Sequence, residues 1–143
     1  MSKIIIIGAG AMGSAFALPC LDNNHDINIV GTHLENNFID TLKKNNNLHP
    51  GLNIDIPKEI KIFKFENFDE LFESNVDMIV LGISSKGIEW VADQLSRLFI
   101  GKKLPKLLML TKGLSIYNNQ YELLVDKLER LLAERGITNL NIS

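Results

Sequence analysis

Cysteine is nearly missing from this sequence: Cys20 stands alone, so no disulfide can close within the chain. Its apolar neighbours Ala17, Leu18 and Leu21 make a buried, inert thiol the expectation. No apolar run approaches the roughly eighteen residues that a membrane-crossing helix needs. Neither sign of charge dominates, with 15 Lys and Arg against 17 Asp and Glu, and this removes the clustered basic charge that nucleic acid binding requires. The pairs Lys43-Lys44 and Lys102-Lys103 read as solvated faces. His25, His33 and His49 lack metal-ligand spacing and have no Cys partner, so no metal site is implied. There is no Gly/Ser/Pro-rich linker, low-complexity tract or solenoid repeat. What is there, 45% hydrophobic and 22% charged residues in a chain of 143, is the balance of one globular domain.

Strand and helix patterns alternate along the chain, which predicts a mostly parallel sheet covered on both faces by helices. Ile4-Ile5-Ile6-Ile7 stops at Gly8, too short for a signal peptide, and reads as a buried first strand of a cytoplasmic protein. A helix is expected from Met12 to Asn23, a strand from Ile27 to Val30, a helix from Leu34 to Asn46, and an irregular loop from His49 to Pro57. Further strands are expected at Ile60 to Phe65, Val76 to Ile83 and Lys106 to Leu110. Between and after them come helices at Phe68 to Glu73, Lys86 to Phe99 and Asn118 to Arg135, the last ended by Gly136. Trp90 falls on the apolar side of its helix and is expected in the core, and Thr138 to Ser143 reads as the opening of another strand.

Gly8-Ala9-Gly10-Ala11-Met12-Gly13 has the form G-x-G-x-x-G between a strand and a helix. In that context the first glycine permits a tight turn, the second lets a pyrophosphate approach the backbone, and the third lets helix pack on strand. The helix N-terminus adds unpaired N–H groups and partial positive charge. A dinucleotide-binding βαβ unit is the expectation. The end of the second strand reads Val30-Gly31-Thr32-His33, with neither acid nor arginine, so NAD against NADP is open. Glu35 either reaches back to the ribose or serves as a first-turn helix carboxylate, and His33 is placed to meet a phosphate or stack on adenine. Ser84, after the central strand, is a helix cap, a ligand contact or both. Lys112, after the fifth strand, is either a solvated lysine or an ammonium aimed at the site.

The order of Ile7-Gly8-Ala9-Gly10-Ala11-Met12-Gly13-Ser14-Ala15, the segment Asn46 to Gly51, Ile54 to Pro57, the strand end Val80 to Ser84, and Leu110-Thr111-Lys112-Gly113-Leu114 resembles the NAD(P)-dependent glycerol-3-phosphate dehydrogenase family. The resemblance covers nearly the whole chain, and Thr-Lys-Gly-Leu is its specific part. It implies a Rossmann-type doubly wound domain of an enzyme that interconverts dihydroxyacetone phosphate and sn-glycerol 3-phosphate by hydride transfer, feeding phospholipid synthesis. It places Lys112 at the junction of cofactor and substrate as the catalytic lysine, and it places cofactor contacts at Ala11, Met12 and Thr32. With the motif reading, the expected cofactor-binding set is Gly8, Gly10, Ala11, Met12, Gly13, Thr32, His33, Ser84 and Lys112. It also implies that the strand opening at Thr138 leads into a helical C-terminal substrate domain. The chain therefore reads as residues 1–143 of a dinucleotide-binding domain with an incomplete last strand, binding cofactor and doing little chemistry alone, with oligomer contacts open. The alternatives are a ketopantoate reductase-like or 6-phosphogluconate dehydrogenase-like enzyme, or a stand-alone nucleotide-sensing module.

Overall fold

The computed structural model describes residues 1–143. In chain order it runs β1 (Lys3–Ile7), α1 (Ala11–Asp22), β2 (Asp26–Val30), α2 (Asn36–Lys44), a short pair β3 (Leu48–His49) and β4 (Ile54–Asp55), then β5 (Lys61–Phe63) and α3 (Phe68–Leu71). There follow β6 (Met78–Leu81), α4 (Ile88–Phe99), β7 (Lys106–Met109), β8 (Leu114–Tyr117), β9 (Gln120–Leu123) and α5 (Leu124–Glu134). The main sheet has the order β5-β2-β1-β6-β7 and every pairing in it is parallel. Asn141 to Ser143 add a start of a further strand beside β7, with Leu107 N donating to Asn141 O at 2.9 Å and Ser143 N to Leu107 O at 3.0 Å. This is the strand order of a Rossmann-type sheet, and it reverses between β1 and β6.

A strand sends successive side chains to opposite faces, so four isoleucines in a row suit only a strand buried on both sides. Ile5 and Ile7 face one core with Ile79, Leu81 and residues of α4 and α5 such as Val91, Leu95 and Leu128. Ile4 and Ile6 face the other with Ile27, Ile29, Val80, Ala17, Ile39 and Leu42. The sheet is doubly wound as expected. Cys20, expected to be buried, is half-buried at the margin of the second core, where partial burial pushes its thiol above the usual range. No helix is long and apolar enough to cross a membrane.

Two expectations are corrected. The loop from His49 to Pro57 contains the β3–β4 pair, in which Leu48 faces Asp55 and His49 faces Ile54. More substantially, the helix expected from Asn118 begins only at Leu124, because residues 114–123 form a β8–β9 hairpin. Asn118 and Asn119 both take positive φ, 49° and 61°, which a two-residue hairpin turn demands and a helix forbids. Arg130 on α5 holds the hairpin, donating to Glu122 at 2.8 Å and stacking over the Tyr117 ring at 3.8 Å. Hydrogen bonding to Arg130 keeps the Glu122 carboxyl below the usual glutamate range.

Candidate functional site

The site begins where β1 runs out into Gly8. That residue takes φ +108°, donates its N–H to Val30 O at 2.8 Å, and lies so close to the chain after β6 that a Cβ there would stand 2.4 Å from Gly82 O. Gly13 is equally constrained, since a Cβ on it would lie 2.5 Å from Gly8 O. A Cβ on Gly82 would in turn lie 2.8 Å from the Gly13 Cα. Three bare backbones therefore interlock at the point where the strand order reverses. Gly10 differs: a Cβ there would meet nothing within 4 Å. It is the N-cap of α1, no side chain caps it, and the first turn of that helix holds no acid. The N–H groups that open a helix have no carbonyl one turn earlier to accept from them, so α1 offers its donors to whatever lies over Gly10.

The peptide between these glycines is clamped on both sides. Ala9 N donates to the two Glu35 carboxylate oxygens at 3.2 and 3.3 Å, and Ala9 O accepts from Ser14 Oγ at 3.1 Å. His49 Nε2 also lies 3.1 Å from Ala9 O. The His49 ring is buried, and its Nδ1 accepts from the amides of Gly51 and Leu52 at 3.2 and 3.3 Å, so the ring proton sits on Nε2 and is donated to Ala9 O. Replacing His49 with leucine keeps the volume but leaves the Gly51 amide without its acceptor and takes one donor from Ala9 O, while Leu52 N keeps the backbone carbonyl of residue 49 at 3.3 Å. A loss of about 2 kcal/mol in urea unfolding is expected, and an unchanged midpoint would show that the clamp carries no stability.

Beside the turn opens a cleft of about 550 Å³ lined by Gly10, Thr32, His33, Glu35, Ser84 and Trp90 among others. Its aromatic wall is His33 against Trp90, ring centroids 5.1 Å apart, backed by Phe65 at 6.2 Å from His33. Of the expected site residues, the cleft gathers Gly10, Thr32, His33 and Ser84. Gly8 and Gly13 form the buried turn behind it, and Ala11 and Met12 stand exposed on the first turn of α1. The Ser84 hydroxyl caps no helix, which leaves it available to the cleft. Lys112 is not brought into the cleft: it is exposed beyond β7 and makes no hydrogen bond or ion pair, while Thr111 Oγ1 ties its loop to Ile83 O at 2.7 Å. Trp90, expected in the core, is half-buried and forms part of the cleft wall. Four contributors lay outside the expected set: Trp90, Glu35, His49 and Gly82. Gly82 carried a plain sequence signal, a glycine directly after the central apolar strand, and Glu35 was legible as one of two readings of its carboxylate.

A parallel sheet in this order, with an interlocked glycine turn at its reversal point, defines the chain as a Rossmann-type domain of the dinucleotide-binding architecture. Residues 3–141 match the family model described as the NAD-dependent glycerol-3-phosphate dehydrogenase N-terminus, and the chain belongs to that family. It is 30% identical over 116 residues to the NADP(+)-dependent glycerol-3-phosphate dehydrogenase of Archaeoglobus fulgidus, covering 81% of this chain and 33% of that protein. It is 29% identical over 97 residues to the glycerol-3-phosphate dehydrogenase [NAD(P)+] of Oceanobacillus iheyensis, covering 68% of this chain and 27% of that one. The chain thus spans about a third or less of the length of these relatives. The crystal structure of glycerol-3-phosphate dehydrogenase from Coxiella burnetii shares the fold with TM-score 0.71 at 19% identity, over 99% of this chain and 40% of that one. That of a 2-dehydropantoate 2-reductase homologue from Enterococcus faecalis does so with TM-score 0.63 at 21% identity, over 98% and 39%.

Proposed function

We propose that this chain binds NAD or NADP across the mouth of the sheet, as the cofactor-binding part of an enzyme interconverting dihydroxyacetone phosphate and sn-glycerol 3-phosphate. The observation that carries the reading is the open space over Gly10 at an uncapped helix end, continuous with an aromatic cleft. Those residues fit the group: the α1 amides suit a pyrophosphate, and the His33 and Trp90 faces suit an adenine. Family membership supports the choice of substrate over that of the ketopantoate reductase or 6-phosphogluconate type.

A bound nicotinamide supplies or takes up the hydride. The chain's own contribution is position and charge: Gly8, Ala9 and Gly10 hold the turn, Ala11 and Met12 present the helix amides, and Thr32, His33 and Ser84 line the nucleoside cleft. Lys112, unpaired and exposed at the carboxyl end of β7, is free to donate a hydrogen bond from its ammonium to the substrate oxygen and stabilise the charge that develops there. Hydride transfer needs both carbons held in a water-poor cleft, so the second wall is assigned to the helical substrate domain of the intact enzyme. In the same reading the enzyme is cytoplasmic, feeds phospholipid synthesis, and makes any oligomer contacts as the intact protein.

Trp90 is the one tryptophan of the chain and lines the cleft, so its emission reports occupancy directly. Titration with NADH or NADPH is expected to quench it saturably within the range up to about 1 mM typical of enzyme ligands. No change with either nucleotide at that concentration would overturn the reading.

A further inference from the structure

Glu35 spans the gap between the end of β2 and the glycine turn. Its Oε2 accepts from Thr32 N at 2.7 Å, while both carboxylate oxygens accept from Ala9 N. Gly31 makes this fold-back possible: a Cβ on it would stand 3.3 Å from the Glu35 Cβ and 2.3 Å from Ile39 Cδ1. No lysine or arginine pairs with Glu35, so its charge is not cancelled within the chain. Gly10, where the pyrophosphate is assigned, and His33 with Trp90, where the base is assigned, line the same cleft as Glu35. In an adenosine the ribose lies between base and phosphate, and this places the ribose hydroxyls beside the Glu35 carboxylate.

From this geometry we infer that Glu35 makes the domain select NADH over NADPH. The inference rests on the dinucleotide reading above and deepens it. A carboxylate has lone pairs left after two amide bonds and accepts hydrogen bonds from the 2′ and 3′ hydroxyls, each of which is a donor. A 2′-phosphate replaces a donor by a dianion, and the like charges repel. The carboxylate is not free to retreat, because retreat strands the Ala9 and Thr32 amides it serves. Membership of the family does not by itself fix the preference, since the Archaeoglobus fulgidus relative is NADP(+)-dependent. Lys86 is the one basic side chain of fixed charge lining the cleft, and it makes no bond within the chain, so it is the rival determinant.

The test is a pair of titrations, NADH and NADPH, followed by Trp90 emission on the 143-residue chain, on Glu35→Gln and on Lys86→Gln. The wild-type chain is expected to bind NADH about tenfold or more tighter than NADPH. Glu35→Gln is expected to bring that ratio towards unity, by weakening NADH and strengthening NADPH, whereas Lys86→Gln moves both affinities together. Equal wild-type affinities, or a ratio unmoved by Glu35→Gln in a chain with native circular dichroism, would overturn the assignment while leaving dinucleotide binding intact. A ratio that follows Lys86→Gln instead would do the same. If Glu35→Gln fails to fold, the wild-type ratio alone decides. Binding of neither nucleotide by the wild-type chain would remove both this inference and the reading beneath it.

Discussion

Replacing Gly8 with alanine is expected to destabilise the chain by about 3 kcal/mol or more and to remove nucleotide binding along with the native turn. Two independent effects add. A φ of +108° lies where an L side chain is strained, at about 1–3 kcal/mol. The new methyl would also stand 2.4 Å from Gly82 O, well inside contact distance. That carbonyl has little room to yield, because Gly82 N donates to Ile7 O at 2.8 Å and the residue is wedged against the Gly13 backbone. Overpacking against fixed backbone costs roughly another 1–3 kcal/mol. Urea unfolding followed by circular dichroism measures the sum. A loss below about 1 kcal/mol would mean that the ends of β1 and β6 move apart easily, and the interlocked turn would then not be a rigid platform.

What could be read from sequence was what neighbouring residues decide among themselves. Ile4 to Ile7 ending at Gly8 reads as a buried strand by apolar continuity, and the strand–glycine–helix order reads as a dinucleotide-binding βαβ unit. The stop after α2 was equally local: Asn46 and Asn47 take φ of 54° and 64°, the left-handed region that asparagine tolerates best. The same chemistry misled at Asn118-Asn119. Asparagine also starts helices, and the apolar spacing of α5 extends backwards through Tyr121 and Leu123, so a hairpin turn read as a helix start.

Contributors to the candidate site were missed or left open where a partner far along the chain decides their role. His49 acts on Ala9, 40 positions away, and no pattern around His49 announces it. Glu35 sits at the threshold of α2, where either reading of its carboxylate satisfies helix physics. The decision falls to Gly31 and to the Ala9 amide, 26 positions distant. Trp90 shares the apolar stripe of α4, yet one of its neighbours is His33 rather than another core side chain, so the helix face ends in a cleft.

Gly10 gives the opposite result from Gly8, and the contrast separates a glycine kept for the fold from one kept for a ligand. Its φ of −67° and ψ of −179° suit any residue, and a Cβ there meets open space, so nothing in the chain demands glycine. Gly10→Val is expected to change stability by less than about 1 kcal/mol. Its nucleotide affinity, measured by Trp90 quenching, should nevertheless fall about a hundredfold, because the branched side chain covers the α1 amides where the pyrophosphate is assigned. Gly10→Ser sharpens the point. A serine N-cap satisfies one of those amides with its own oxygen and usually stabilises a helix, here by a few tenths of a kcal/mol relative to glycine. The same oxygen competes with a phosphate for the same donor, so stability should rise slightly as affinity drops. Wild-type affinity in Gly10→Val would put the phosphate somewhere else. Opposite movements of stability and affinity in Gly10→Ser would show that the helix end is left bare at a small cost to the fold, because its donors are reserved for an anion.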